Sequence, residues 1–189
     1  MILVTSHQSL VTTSEVNRLS PNILVLGVGN VLLQDDGIGP LVVKELEKTY
    51  FNPHVTFLDG GTLGIELIGY LEGYDSLIII DAFDLGEKPG TIFCWESPSF
   101  SEVPAQVSFH QVGVQELLNT IKLLGLNLEI IIMGIQVKNL TWGLELSKEV
   151  QEAVSKLKEI VVEKINQCLT KEVTGKSTKF AAKSNCSIN

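Results

Sequence analysis

The sequence predicts an α/β protein, a three-layer α/β/α sandwich around a mostly parallel sheet of about five strands. Two observations carry this expectation. Short apolar runs alternate with stretches whose apolar residues recur at helical spacing, the pattern of strands crossing over to parallel neighbours. The run Leu77-Ile-Ile-Ile80 shows no polar alternation at all, as expected of a strand covered on both faces.

Taken in order, Ile23–Leu26 reads as the first strand and runs into the glycine-rich turn Gly27-Val-Gly29. From Ile38 to Tyr50 the residues Ile38, Leu41, Val42, Leu46 and Tyr50 share one helical face, with Lys44, Glu45 and Lys48 elsewhere. Pro53 follows that helix, and Val55–Leu58 reads as a second strand closing on Asp59-Gly-Gly61. A short helix is expected across Gly64–Leu71, then the buried strand that runs into Asp81. Thr91–Trp95 reads as a further strand after the turn Lys88-Pro-Gly90. The helix from Gln111 to Leu124 turns Val114, Leu117, Leu118, Ile121 and Leu124 inward, and Glu129–Met133 reads as the last central strand. Ser147 is placed to cap the final helix, whose apolar face carries Val150, Val154, Leu157, Val161 and Ile165. Periodicity fades after about Thr170. The expected organisation is a polar N-terminal extension over 1–22, one α/β domain over 23–169, and a tail of little fixed structure over 170–189.

Composition narrows the function classes. With 44% hydrophobic residues and a mean hydropathy of +0.26, 189 residues suit a single domain with a sizeable core. The formal net charge of −8 argues against a nucleic-acid surface, which needs a basic face. No apolar run reaches the roughly 18 residues needed to span a bilayer. Cys94, Cys168 and Cys186 are odd in number, far apart and never spaced C-x-x-C, which suits a reducing, cytoplasmic setting.

In open α/β sheets, ligands bind beyond the carboxyl ends of the strands. Three acids are expected on that edge: Asp36 after the first strand, Asp59 after the second and Asp81 after the third. His110, just ahead of a helix, is a candidate for the same rim. Two carboxylates and an imidazole suit a divalent metal ion, and three protein ligands leave positions open for a substrate or water. Each acid also has a plain structural reading as a helix cap, and Asp35 and Asp36 suit the positive end of a helix dipole. Dinucleotide binding is the competing chemistry. It is disfavoured because Leu32 stands where the third glycine of G-x-G-x-x-G belongs, and because Asp35 and Asp36 repel a pyrophosphate.

Five blocks occur in the order seen in hydrogenase maturation endopeptidases, which the chain resembles over roughly 23–165. They are Gly27-Val-Gly-Asn-Val-Leu-Leu-Gln-Asp-Asp-Gly-Ile-Gly39, Leu58-Asp-Gly-Gly-Thr62, Ile78-Ile-Ile-Asp-Ala82, Phe109-His-Gln-Val-Gly113 and Met133-Gly-Ile-Gln136. The segment Trp142-Gly-Leu-Glu-Leu-Ser147 is similar to the family's closing block. The resemblance implies a peptidase that removes a short C-terminal extension from the precursor of the [NiFe] hydrogenase large subunit after nickel insertion. It implies nickel as the cofactor, supplied by the precursor, with Asp36, Asp81 and His110 as the residues that recognise it. Asp59 is expected as a supporting or substrate-loop residue. No separate nucleophile is assigned; water activated by the metal, or by Asp36 or Asp81 as an aspartic-type base, is expected to cut the bond. The family partner is that precursor, with neither nucleic acid nor membrane, and the chain is expected to act as a monomer. A non-catalytic nickel-dependent assembly chaperone is the alternative.

Overall fold

The computed structural model describes residues 20–98, 114–171 and, for backbone alone, 183–188. Among them six strands form one sheet in the order β2-β1-β3-β5-β4-β6. The strands are β1 (Ile23–Val28), β2 (Val55–Gly61), β3 (Ser76–Phe83), β4 (Ile92–Glu96), β5 (Glu129–Gln136) and β6 (Lys183–Ile188). β2, β1, β3 and β5 run parallel, while β4 is antiparallel to β5 and β6 antiparallel to β4. The expected α/β architecture and its central strands are present. Nothing in the run Lys-Ser-Asn-Cys-Ser-Ile signals a strand, yet its backbone pairs with β4 and extends the sheet.

Strand alternation splits the core into two layers. Ile23 and Val25 of β1, Ile78 and Ile80 of β3, and Ile131 and Met133 of β5 pack against α1 (Ile38–Thr49) and α3 (Lys148–Leu169). Leu24 and Leu26, Leu77 and Ile79, and Ile130 and Ile132 pack on the other face against α2 (Val114–Leu123) and the 3-10 segment Gly64–Tyr70. That segment is a 3-10 helix where an α-helix was expected over Gly64–Leu71. No helix among the described residues is long and apolar enough to cross a membrane.

The helix–sheet approach on the α1 side depends on glycine. A Cβ on Gly39 would lie 2.2 Å from the Val28 carbonyl oxygen and 2.4 Å from that of Ile80. A side chain there forces α1 off the sheet, so the first turn of α1 sits hard against β1 and β3. The same close packing fixes the height of the preceding turn above the carboxyl edge of the sheet.

Candidate functional site

β1 ends at Val28, and Gly29 turns the chain back with φ of 140°, a conformation that L side chains rarely adopt. A Cβ on Gly29 would also stand 1.9 Å from the carbonyl oxygen of Asp36. The turn is thus folded tightly on itself, and the 3-10 turn Gln34–Gly37 presents Asp35 and Asp36 next to one another. Both are buried, at 0% and 1% exposure. Their roles differ completely.

Asp36 accepts a hydrogen bond from the Asn30 N–H at 2.8 Å, closing the turn that follows β1. Asp35 turns the other way. Its carboxylate accepts from the backbone N–H groups of Lys138, Asn139 and Ser147 at 2.9, 2.8 and 2.6 Å. The Ser147 hydroxyl donates to it as well, at 2.8 Å. Asp35 therefore ties the acid turn to the loop between β5 and α3, a role that its reading as a helix-dipole residue missed. Ser147 does stand at the N-cap of α3, but its hydroxyl makes no cap bond there because Asp35 takes it.

Asp81 lies inside β3, paired with Gly134 of β5, and not after the strand as expected. The strand continues to Phe83 because Ala82 and Phe83 are themselves buried between neighbours. Alternation with Leu77, Ile79 and Phe83 aims Asp81 at the face covered by α2. Its Oδ1 accepts from the Ala82 N–H at 2.8 Å. Its Oδ2 is buried without a hydrogen-bond partner among the described residues. Burial pushes the Asp81 carboxyl well above the ordinary carboxylate range; the Ala82 N–H opposes this, and the nearby charge of Asp36 raises it further. Asp36 and Asp81 are therefore brought together, close enough for the charge of Asp36 to disfavour charge on Asp81.

Asp59 is not part of this pair. It lies within β2, at the edge of the sheet, where it is exposed and bonded to the Lys44 ammonium at 2.7 Å. Its Oδ1 also accepts from the Gly61 N–H at 3.0 Å, so this carboxylate shapes its own turn. His110 lies outside the described residues, and so do Gln111-Val-Gly113, the expected first turn of the helix that begins here at Val114. α2 joins the start of β5 through the short link 124–128, so it runs antiparallel to β5 with Val114 toward the carboxyl edge.

Sequence reasoning also missed Gln136. Buried at the end of β5, its Oε1 accepts from the N–H groups of Leu85 and Glu87 at 2.8 and 3.2 Å. Its Nε2 donates to Asp84 Oδ1 at 3.0 Å and to the Val137 carbonyl at 3.1 Å. It fixes the loop that leaves β3 after Phe83, two residues beyond Asp81. The available signal is a lone amide closing the apolar run Ile130–Ile135.

The family model described as hydrogenase maturation protease matches residues 40–164. The chain belongs to the hydrogenase maturation protease family. It is 39% identical over 150 residues to the hydrogenase expression/formation protein HupD of Bradyrhizobium diazoefficiens, across 76% of each chain. It is 43% identical over 109 residues to the hydrogenase 2 maturation protease of Escherichia coli, across 54% of this chain and 65% of the relative. Its fold superposes on the hydrogenase maturating endopeptidase HybD from Escherichia coli with a TM-score of 0.70 and 32% identity, covering 77% of this chain and 93% of that one. Against the [NiFe] hydrogenase maturation protease HybD from Thermococcus kodakarensis the TM-score is 0.63 at 30% identity, over 75% and 97% of the two chains. The chain is thus a peptidase of this family, as its motif blocks imply, and the α/β sheet is the family's sheet.

Proposed function

We propose that this peptidase removes the C-terminal extension of a [NiFe] hydrogenase large-subunit precursor, and that it recognises the nickel already carried by that precursor through Asp36, Asp81 and His110. One observation carries the metal reading: Asp81 Oδ2, wholly buried and without a partner among the described residues, stands in the field of a second buried carboxylate. A lone polypeptide gains nothing from that arrangement, since a buried unpaired polar atom costs about 1–3 kcal/mol. A dication at the pair reverses the sign of both penalties, satisfying the orphan oxygen and neutralising the mutual repulsion. The sequence puts His110 four residues ahead of α2, the helix that covers the face Asp81 points to. A borderline nitrogen beside two hard oxygens suits nickel.

Two carboxylates and one imidazole bind nickel more weakly than a thiolate cluster does. Such a site leaves the ion with the precursor's own ligands and reads its presence. Unfilled precursor lacks the ion that docks it, and only filled precursor is cut. The peptide bond is then broken by water, with Asp36 and Asp81 the described carboxylates in place to orient it or accept its proton.

Incubating the purified chain with nickel-loaded and nickel-free precursor, and weighing the products by mass spectrometry, tests this reading. Release of the C-terminal peptide from the loaded form alone supports it. Equal release from both forms removes nickel recognition, and release from neither removes the substrate.

A further inference from the structure

The acid turn carries a second feature that peptide hydrolysis leaves unused. Leu33 pairs in parallel with Gly143, through Gln34 N–H to the Gly143 carbonyl and Gly143 N–H to the Leu32 carbonyl, both at 3.0 Å. This short ribbon sets Val31 and Leu32 alongside Trp142 and Leu144. All four are turned to solvent, at 44%, 48%, 79% and 75% exposure. Large apolar side chains scattered singly over a surface need no explanation, but a group of four on one ribbon does.

The ribbon is held in place from beneath. Gln34 has a φ of 50°, the left-handed region that favours glycine, and its Oε1 accepts from the Thr141 hydroxyl at 2.9 Å. Gly143 leaves no room for a side chain, since a Cβ there would lie 2.9 Å from Gln34 Cγ. Asp35 clamps the same two segments together with its four bonds. Strained backbone persists only where the surroundings over-determine it, and it concentrates at binding and catalytic sites. The apolar side chains are thus presented from a fixed frame, which lowers the ordering cost of binding.

We infer that Val31, Leu32, Trp142 and Leu144 form the docking ridge for the precursor polypeptide, gripping an extended apolar stretch that borders the bond to be cut. This rests on the proposed function above. The occupant follows from continuity. Val31, Leu32 and Asp36 belong to one six-residue run, and Trp142 and Leu144 are joined to that run through the Leu33–Gly143 pairing. A chain lying on the ridge is thus led directly to the acid pair. A partner of this kind offers aliphatic or aromatic side chains to an uncharged strip on an otherwise acidic molecule. An exposed tryptophan supplies large, rigid contact area of the sort that dominates interface energetics.

The test separates docking from cutting. The chain is immobilised, nickel-loaded precursor is passed over it, and binding is read by interferometry while released peptide is weighed in parallel. Trp142→Ala and Leu144→Ser are expected to weaken binding at least about tenfold, the cost of losing one central interface anchor. Phe51→Ser removes an equally exposed ring beside the opposite edge of the sheet, between α1 and β2, and is expected to bind as the wild type does. Unchanged melting curves show that the folds are intact, since each replaced side chain is more than 70% exposed. Wild-type affinity in both ridge variants, an equal loss in Phe51→Ser, or a wild type that binds no precursor overturns the inference. Ridge-dependent binding without peptide release upholds the ridge and overturns the cleavage reading; release with ridge-independent binding does the reverse.

Discussion

Ser147 gives both its backbone N–H and its hydroxyl to the carboxylate of Asp35, at 2.6 and 2.8 Å, across 112 residues of sequence. Two further backbone donors, on Lys138 and Asn139, complete the shell. Asp35→Ala leaves these donors buried without an acceptor, and charge-assisted bonds of this kind are worth roughly 1.5–3 kcal/mol each. A loss of about 3 kcal/mol or more is expected in urea unfolding. Asp35→Asn, which turns an amide NH2 toward donors, is expected to fall between the two.

Asp81 makes the stability of the metal-free chain depend on pH in an uncommon direction. Its carboxyl titrates higher in the folded state than in the unfolded chain, because of burial and the Asp36 charge. Below the unfolded value both states hold the proton and the group costs nothing. As pH rises past that value, the unfolded chain releases its proton first, so stability falls until the folded pKa is passed. Each unit of separation is worth about 1.4 kcal/mol. Asp81→Asn is expected to remove this slope, leaving the chain more stable than wild type at pH 7 and unable to process precursor. Thermal unfolding across pH 4 to 8, in chelator and with both proteins side by side, checks it; a steeper slope in the variant would refute the assignment.

Gly134 is the register partner of Asp81, and the Phe83 ring lies directly over it. A Cβ at Gly134 would stand 1.7 Å from Phe83 Cδ2. The ring cannot retreat easily, since it is packed against Trp95 at 5.2 Å and Phe93 at 6.4 Å between centroids. Gly134→Ala is expected to destabilise by about 1–3 kcal/mol, the usual range for overpacking. Because β3 must shift to admit the methyl group, precursor processing is expected to fall as well. Denaturant midpoints and a processing rate measured on the same preparation decide whether the two losses travel together.

These cases show what the chain reveals and what it conceals. Asp36 and Asp81 are legible because each follows an uninterrupted apolar run of a covered central strand. Asp36 stands in the turn beyond β1 and Asp81 within β3 directly after Leu77–Ile80, and both positions are buried. Asp59 follows the same local pattern after Val55–Leu58, but β2 lies at the sheet edge, where its carboxylate reaches solvent and Lys44. Edge and centre depend on strand order, which no local pattern encodes. The Asp35 clamp is hidden for the related reason that all its donors lie more than 100 residues away. Ser147 reads correctly as the start of α3, and only the fold shows that its hydroxyl serves another partner.

The proposed nickel contact predicts a distinct signature for its three residues. Asp36→Ala, Asp81→Ala and His110→Ala are each expected to slow peptide release by at least about 100-fold, the scale of removing one group that acts on the reacting centre. Unfolding midpoints separate the two aspartates. Asp36→Ala loses the acceptor for the Asn30 N–H and is expected to destabilise its loop. Asp81→Ala removes an unfavourable buried acid but opens a small void, so its stability is expected to stay close to wild type. If nickel recognition is the lost step, all three variants should also lose their preference for nickel-loaded over nickel-free precursor in binding measurements. A His110→Ala protein that processes loaded precursor at the wild-type rate removes the imidazole from the scheme and leaves the two aspartates to act without it.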